Sequence, residues 1–236
     1  MTKHIFSPDG LYARVMNGFW NILVLSVVWV LCCLPVVTLG AASTAAYYAA
    51  AKVIRHKTGK IYSEFFASFR RNFRQSVPLT LVVLLLNAVL AVECIYLYAD
   101  TRIPAGVLWL FAAMLLAVCA MGSYLWACLS RFSMGSLQLF RMAVVLTFRH
   151  LLTTLLLLAL LCVCLLGIYR MPWGILVFPG LALYLSTYPM EKILLRYSPK
   201  VSPDDPDAQK WYYGSVEQSQ APANAKGAFA QIKNIP

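Results

Sequence analysis

Two polar side chains and one cluster of charge are the residues in this sequence whose types and spacing suit chemistry. Asn87 and Glu93 lie six residues apart inside the apolar stretch 78–98, where a strongly polar or ionisable group is costly enough to be a functional candidate by default. A carboxylate there binds a proton or a cation, or it pairs with Arg102 or Arg170. Pairing is the simpler reading, because Glu93 is near one end of the stretch and within reach of the interface. The cluster is GKIYSEFFASFRRNFRQ, residues 59–75. On a helix, Tyr62, Phe65, Phe66, Phe69 and Phe73 fall within an arc of about 100°, while Glu64, Arg70, Arg71 and Arg74 take the other sides. Such a helix puts its aromatics into a membrane surface or a partner and its arginines beside phosphates or acidic groups. Nucleic-acid binding needs aromatics exposed for stacking, so no nucleic-acid partner is expected.

No catalytic set accompanies these residues. The sequence has no zinc-type His-Glu motif, no Gly-rich phosphate loop and no Gly-x-Ser-x-Gly elbow. His4, His56 and His150 are far apart, and the seven cysteines sit in apolar runs, where a thiol behaves as a small hydrophobe. The chain is therefore expected to be no enzyme, with no cofactor and no metal. Asn21, Ser26, Thr153 and Thr154 are expected to make interhelical hydrogen bonds. Glu191 and Lys192 read as a helix-end anchor.

The elements that position these residues follow from composition. Of 236 residues, 61% are hydrophobic and only 12% charged, with a mean hydropathy of +0.69. A soluble domain cannot bury that much apolar surface, so the chain belongs in a lipid bilayer. Apolar runs at 17–37, 78–98, 105–129, 151–169 and 173–190 are each long enough to cross. The segment 40–56 is rich in small residues and ends in Lys52 and Arg55; it crosses if those side chains snorkel. The expected fold is an all-α, polytopic membrane helix bundle with six crossings, or five if 40–56 does not cross.

Charge sets the expected orientation. Seven basic residues and one acid lie between positions 52 and 74, which makes that loop cytoplasmic. Six crossings then place both termini inside, and the first apolar run reads as a crossing and not as a cleaved signal. Segments 61–75 and 134–149 are expected as cytoplasmic amphipathic helices, the second carrying Leu137, Phe140, Val144 and Phe148 at matching spacing. A weak repeat offset by 75 residues pairs Phe65 with Phe140 and Phe73-Arg74 with Phe148-Arg149. The membrane domain covers 1–197. Residues 198–236, with PDDPD at 203–207, read as a flexible cytoplasmic tail.

LCCLPVVTLGAASTAAYY at 31–48 and IYSEFFASFRRNF at 61–73 resemble the YesL-like family of bacterial membrane proteins. The likeness extends over roughly residues 5–197 and is hydropathic outside those two stretches. It implies a multi-pass protein of the bacterial plasma membrane with undefined molecular activity, often encoded beside sugar-uptake systems, and it supplies no catalytic or binding residues. The functional expectation is an accessory or transport component of carbohydrate uptake, with the bilayer and uptake-transporter components as partners. The alternative is a non-transporting scaffold or regulator that docks a partner through Phe65, Phe69, Arg70, Arg71 and Arg74. A permease subunit of an ATP-driven sugar importer ranks below both, because the loops lack the Glu-Ala-Ala and Gly coupling pattern of such subunits. Homo-oligomerisation is left open by the sequence.

Overall fold

A computed structural model describes residues 11–55, 59–100, 104–132 and 134–197. Arg102, the histidines at 4 and 56, and the tail 198–236 lie outside the described residues. The described chain is all-α, with no strand among its residues. Helix α1 spans Leu11–Cys33, and a 3-10 turn at Val36–Thr38 leads into α2, Leu39–Ala49, which continues as a π-helix over Ala50–Arg55. Then come α3 (Ile61–Ala99), α4 (Ala105–Arg131), α5 (Ser136–Arg149), α6 (Leu151–Arg170), a second 3-10 turn at Pro172–Leu176, and α7 (Phe178–Tyr197).

Among the described residues four helices are long and apolar enough to cross a membrane: α1 from Met16, α3, α4 and α6. Segment 40–55 and α7 do not meet that standard. The first has only 11 α-helical residues before the π-helix. The second carries Pro189, Glu191, Lys192 and Arg196 in its last turns.

Two elements depart from the sequence reading. The amphipathic segment 61–75 and the apolar segment 78–98 are one helix of 39 residues, unbroken at Pro78. That is about 58 Å of rod at 1.5 Å per residue. Proline removes one backbone hydrogen bond there, but the packing of α3 against α2 and α4 holds the helix together.

The second departure is the face that α3 buries. Ile61, Phe65, Ser68, Asn72, Ser76, Leu79, Thr80 and Val83 point inward, whereas Tyr62, Phe66 and Phe73 are exposed. The cause is the neighbour. Residues Gly40 to Ala51 are all buried, and this Ala-rich rod needs a partner with small side chains for close approach. Gly40 shows how close: a Cβ there would lie 2.0 Å from Thr80 Oγ1 and 2.7 Å from the Trp126 ring. Helix α2 therefore runs antiparallel to the amino-terminal, charged half of α3, with Gly40 against Thr80 and Lys52 bonded to Glu64.

The core is concentrated at this basic end. One cluster joins Tyr47, the last third of α4, the inner face of α5 and Met190, Ile193, Leu194 and Tyr197 of α7. A second joins Leu25, the α2 alanines and Phe65. By contrast, α6 buries only Thr154, Leu157 and Cys164 and exposes most of its other leucines, the surface expected of a helix solvated by lipid.

Candidate functional site

The most unusual chemistry in the bundle is an ion pair that closes three helices on one another. Arg131, the last residue of α4, bonds through Nη2 to Oε1 of Glu191 on α7, and both side chains are only 2% exposed. Tyr47 of α2, 3% exposed, donates its hydroxyl to the same carboxylate oxygen at 3.3 Å. Burying a carboxylate and a guanidinium is tolerable only when each meets the other with hydrogen bonds. Their near neighbours in the chain, Cys128, Leu129 and Met190, are apolar and buried.

Sequence reasoning missed this network. Glu191 reads as a helix-end anchor and Arg131 carries no local mark of its own, because each lies beside polar sequence at the end of an apolar run. The only signal was a single carboxylate at the end of the run FPGLALYLSTYPM. Its partner is 60 positions away, a separation that no local pattern encodes.

A second polar layer lies nearer the surface. Lys52 Nζ meets Glu64 Oε2 at 2.8 Å, and the Tyr48 ring faces both Lys52, at 5.6 Å, and the Arg71 guanidinium, at 5.2 Å. Arg71, expected on a face open to lipid or a partner, is thus engaged by its own chain through a cation–π contact. Arg70 and Arg74 are exposed and make no ion pair or hydrogen bond among the described residues. Gln75 Nε2 donates to the Met134 carbonyl at 2.6 Å and ties α3 to the approach to α5. Across the same end, Arg149 lies over the Tyr197 ring at 5.9 Å, and His150 meets the Tyr197 hydroxyl at 3.4 Å. Partial burial pushes the His150 pKa down, and the neighbouring Arg149 and Arg196 push it further.

The aromatic candidates separate. Phe65 is 1% exposed and stacks on Phe69 at 6.1 Å with rings 14° apart, so it is a core residue and not part of an outward face. Phe69 is partly buried against the same cluster. Asn87 and Glu93 are not brought together with any of this. Asn87 Nδ2 donates to the Val83 carbonyl at 2.8 Å and its Oδ1 accepts from Cys119 Sγ at 3.0 Å, which stitches α3 to α4. Glu93 is exposed on α3 and does not pair with Arg170; Arg102 lies outside the described residues. Ser26, expected to bond between helices, does so: its Oγ accepts from Gly180 N–H at 2.8 Å. Thr154 likewise shares a hydrogen bond with the Tyr124 hydroxyl at 3.3 Å. Among the described residues no group of three His, Cys, Asp or Glu side chains could hold a metal.

Residues 22–94 match the family described as a protein of unknown function, DUF624. The match runs from within α1 through α2 to near the end of α3, and so takes in both stretches that carry the YesL-like resemblance. YesL-like proteins are a DUF624 family. No curated protein and no solved structure matches the chain. The DUF624 segment contains Tyr47, Tyr48, Lys52, Glu64 and Arg71, whereas Arg131 and Glu191 fall beyond it.

Proposed function

We propose that the chain is an accessory or transport component of carbohydrate uptake in the bacterial plasma membrane, with its basic end facing the cytoplasm. The observation that supports an active part in uptake is the Tyr47–Arg131–Glu191 network. It places a buried charge pair at the junction of α2, α4 and α7, where ionisable groups in a membrane protein are functional candidates. The carbohydrate element rests on the YesL-like resemblance of residues 31–48 and 61–73. Deleting the gene from its host and following uptake of labelled oligosaccharides tests this reading. Uptake should fall, wild-type protein should restore it, and a Glu191→Gln variant that still reaches the membrane should not. Unchanged uptake in the deletion strain would remove the proposal.

A scaffold that holds an uptake component is the second reading, favoured by the exposure of Tyr62 and Phe66, at 52% and 48%. On an unbroken α3 these rings stand about 18–24 Å along the axis from Pro78, beyond a headgroup layer of about 5–8 Å. They are free to meet protein. A mild-detergent pull-down with mass spectrometry should recover uptake components, and a Tyr62→Ser/Phe66→Ser chain should lose them.

A further inference from the structure

Continuity of α3 sorts the exposed residues of its amino-terminal half by depth. If the crossing begins at Pro78, as the hydropathy suggests, Arg74 lies about 6 Å and Arg70 about 12 Å along the axis from it. Arg74 is then inside the headgroup layer, and the long side chain of Arg70 reaches back toward it. Phe73 is 40% exposed and stands beside the pair, with its ring 5.4 Å from Phe69. Arg71, one residue away, is committed to Tyr48. Arg70 and Arg74 are one helical turn apart, both exposed, and neither makes an ion pair with the described residues.

We propose that Arg70, Phe73 and Arg74 form a binding site for the headgroup of an anionic phospholipid. The two guanidinium groups hold the phosphate, and Phe73 lies along the upper part of an acyl chain. Arginine suits this role because its planar donors match phosphate oxygens two at a time. An aromatic ring at the same depth belongs to the interfacial belt. An acidic protein segment is the competing occupant, but the depth of Arg74 favours lipid, since a soluble partner would have to displace headgroups to reach it.

The test uses the full chain in detergent, with native mass spectrometry counting retained phosphatidylglycerol against phosphatidylcholine. Wild type should retain phosphatidylglycerol selectively. Arg70→Gln or Arg74→Gln should weaken that binding about five-fold, and the double variant roughly thirty-fold, with about 1 kcal/mol for each basic residue near an anionic surface. Arg70→Lys/Arg74→Lys should keep only part of the affinity, because the charge remains while the paired donors are lost. Both side chains are exposed, so thermal unfolding in neutral detergent should not change, which separates lost binding from lost fold. Three outcomes would overturn the proposal: equal retention by the double Gln variant, equal loss of phosphatidylcholine, or displacement of the lipid by glycerol phosphate alone at similar concentration, which would make the site one for a soluble phosphate.

Discussion

Arg131 and Glu191 carry the largest single-residue consequence in the fold. Removing one partner leaves the other buried without this counter-charge, which costs about 3–5 kcal/mol. Arg131→Ala and Glu191→Ala should each lower the unfolding temperature in detergent sharply. Arg131→Met combined with Glu191→Leu should recover most of the loss, because two apolar side chains fit the surrounding core. A double-mutant cycle with no coupling energy would contradict the buried contact. Gly40 gives a second sharp contrast. Gly40→Ala meets Thr80 and Trp126 at impossible distances, whereas a Cβ at Gly122 lies 3.5 Å from Val83. The first substitution should destabilise by about 1–3 kcal/mol, and the second should be tolerated. His150 predicts a pH effect. Its folded pKa is depressed below the ordinary value, chiefly by partial burial and then by Arg149 and Arg196, so the fold favours the neutral ring. That stabilising effect is fully present above about pH 6.5 and is lost as the pH falls through the depressed value. His150→Gln should flatten this part of the stability profile.

At the scale of elements, the helices were legible and their rotation was not. Hydropathy located α4 and α6 nearly to the residue, and the aromatic spacing of 61–73 announced a helix correctly. The sequence suggested that Tyr62, Phe65, Phe66, Phe69 and Phe73 act as one face. Packing divided them, because the Ala-rich α2 demands Ser68, Asn72 and Ser76 opposite it. The 75-residue offset meets the same division: Phe65 is buried and Phe140 partly so, while Phe73 and Phe148 are both exposed. Continuity through Pro78 was also hidden, since proline announces a boundary and only tertiary contacts override it. The antiparallel course of α3 and α4 allows a direct check of topology. On a cysteine-free background, Lys60→Cys and Gly135→Cys should react with an impermeant maleimide from one side of the membrane, and Gly106→Cys from the other. Opposite labelling of positions 60 and 135 would refute the arrangement.

Over the whole molecule, buried side chains gather at the basic end, while α6 and the far halves of α3 and α4 turn mostly apolar, exposed surfaces outward. A bilayer can solvate those leucines, so the lipid and the core divide the task of holding the helices. Asn87 and Glu93, chosen from sequence because they interrupt an apolar helix, lie in the sparsely buried part, Asn87 bonded to α4 and Glu93 exposed. The buried ion pair came from sequence that looked like ordinary charge at helix ends. Burial, not local contrast in polarity, distinguishes the two sets, and burial depends on partners distant in the chain.

The span between Arg131 and Glu191 also orders the birth of the protein. Arg131 leaves the ribosome 60 residues before the carboxylate that neutralises it, and α5 and α6 must be placed in between. During that interval a guanidinium waits at the end of α4 without its carboxylate partner. Arrival of α7 closes the ion pair, so this contact ties a late helix to one made well before it. A chain stopped at Val177 should insert its earlier helices yet be cleared by membrane proteases faster than full-length protein. Replacing Arg131 with Met in that shortened chain should lengthen its lifetime, as pulse-chase measurement would reveal.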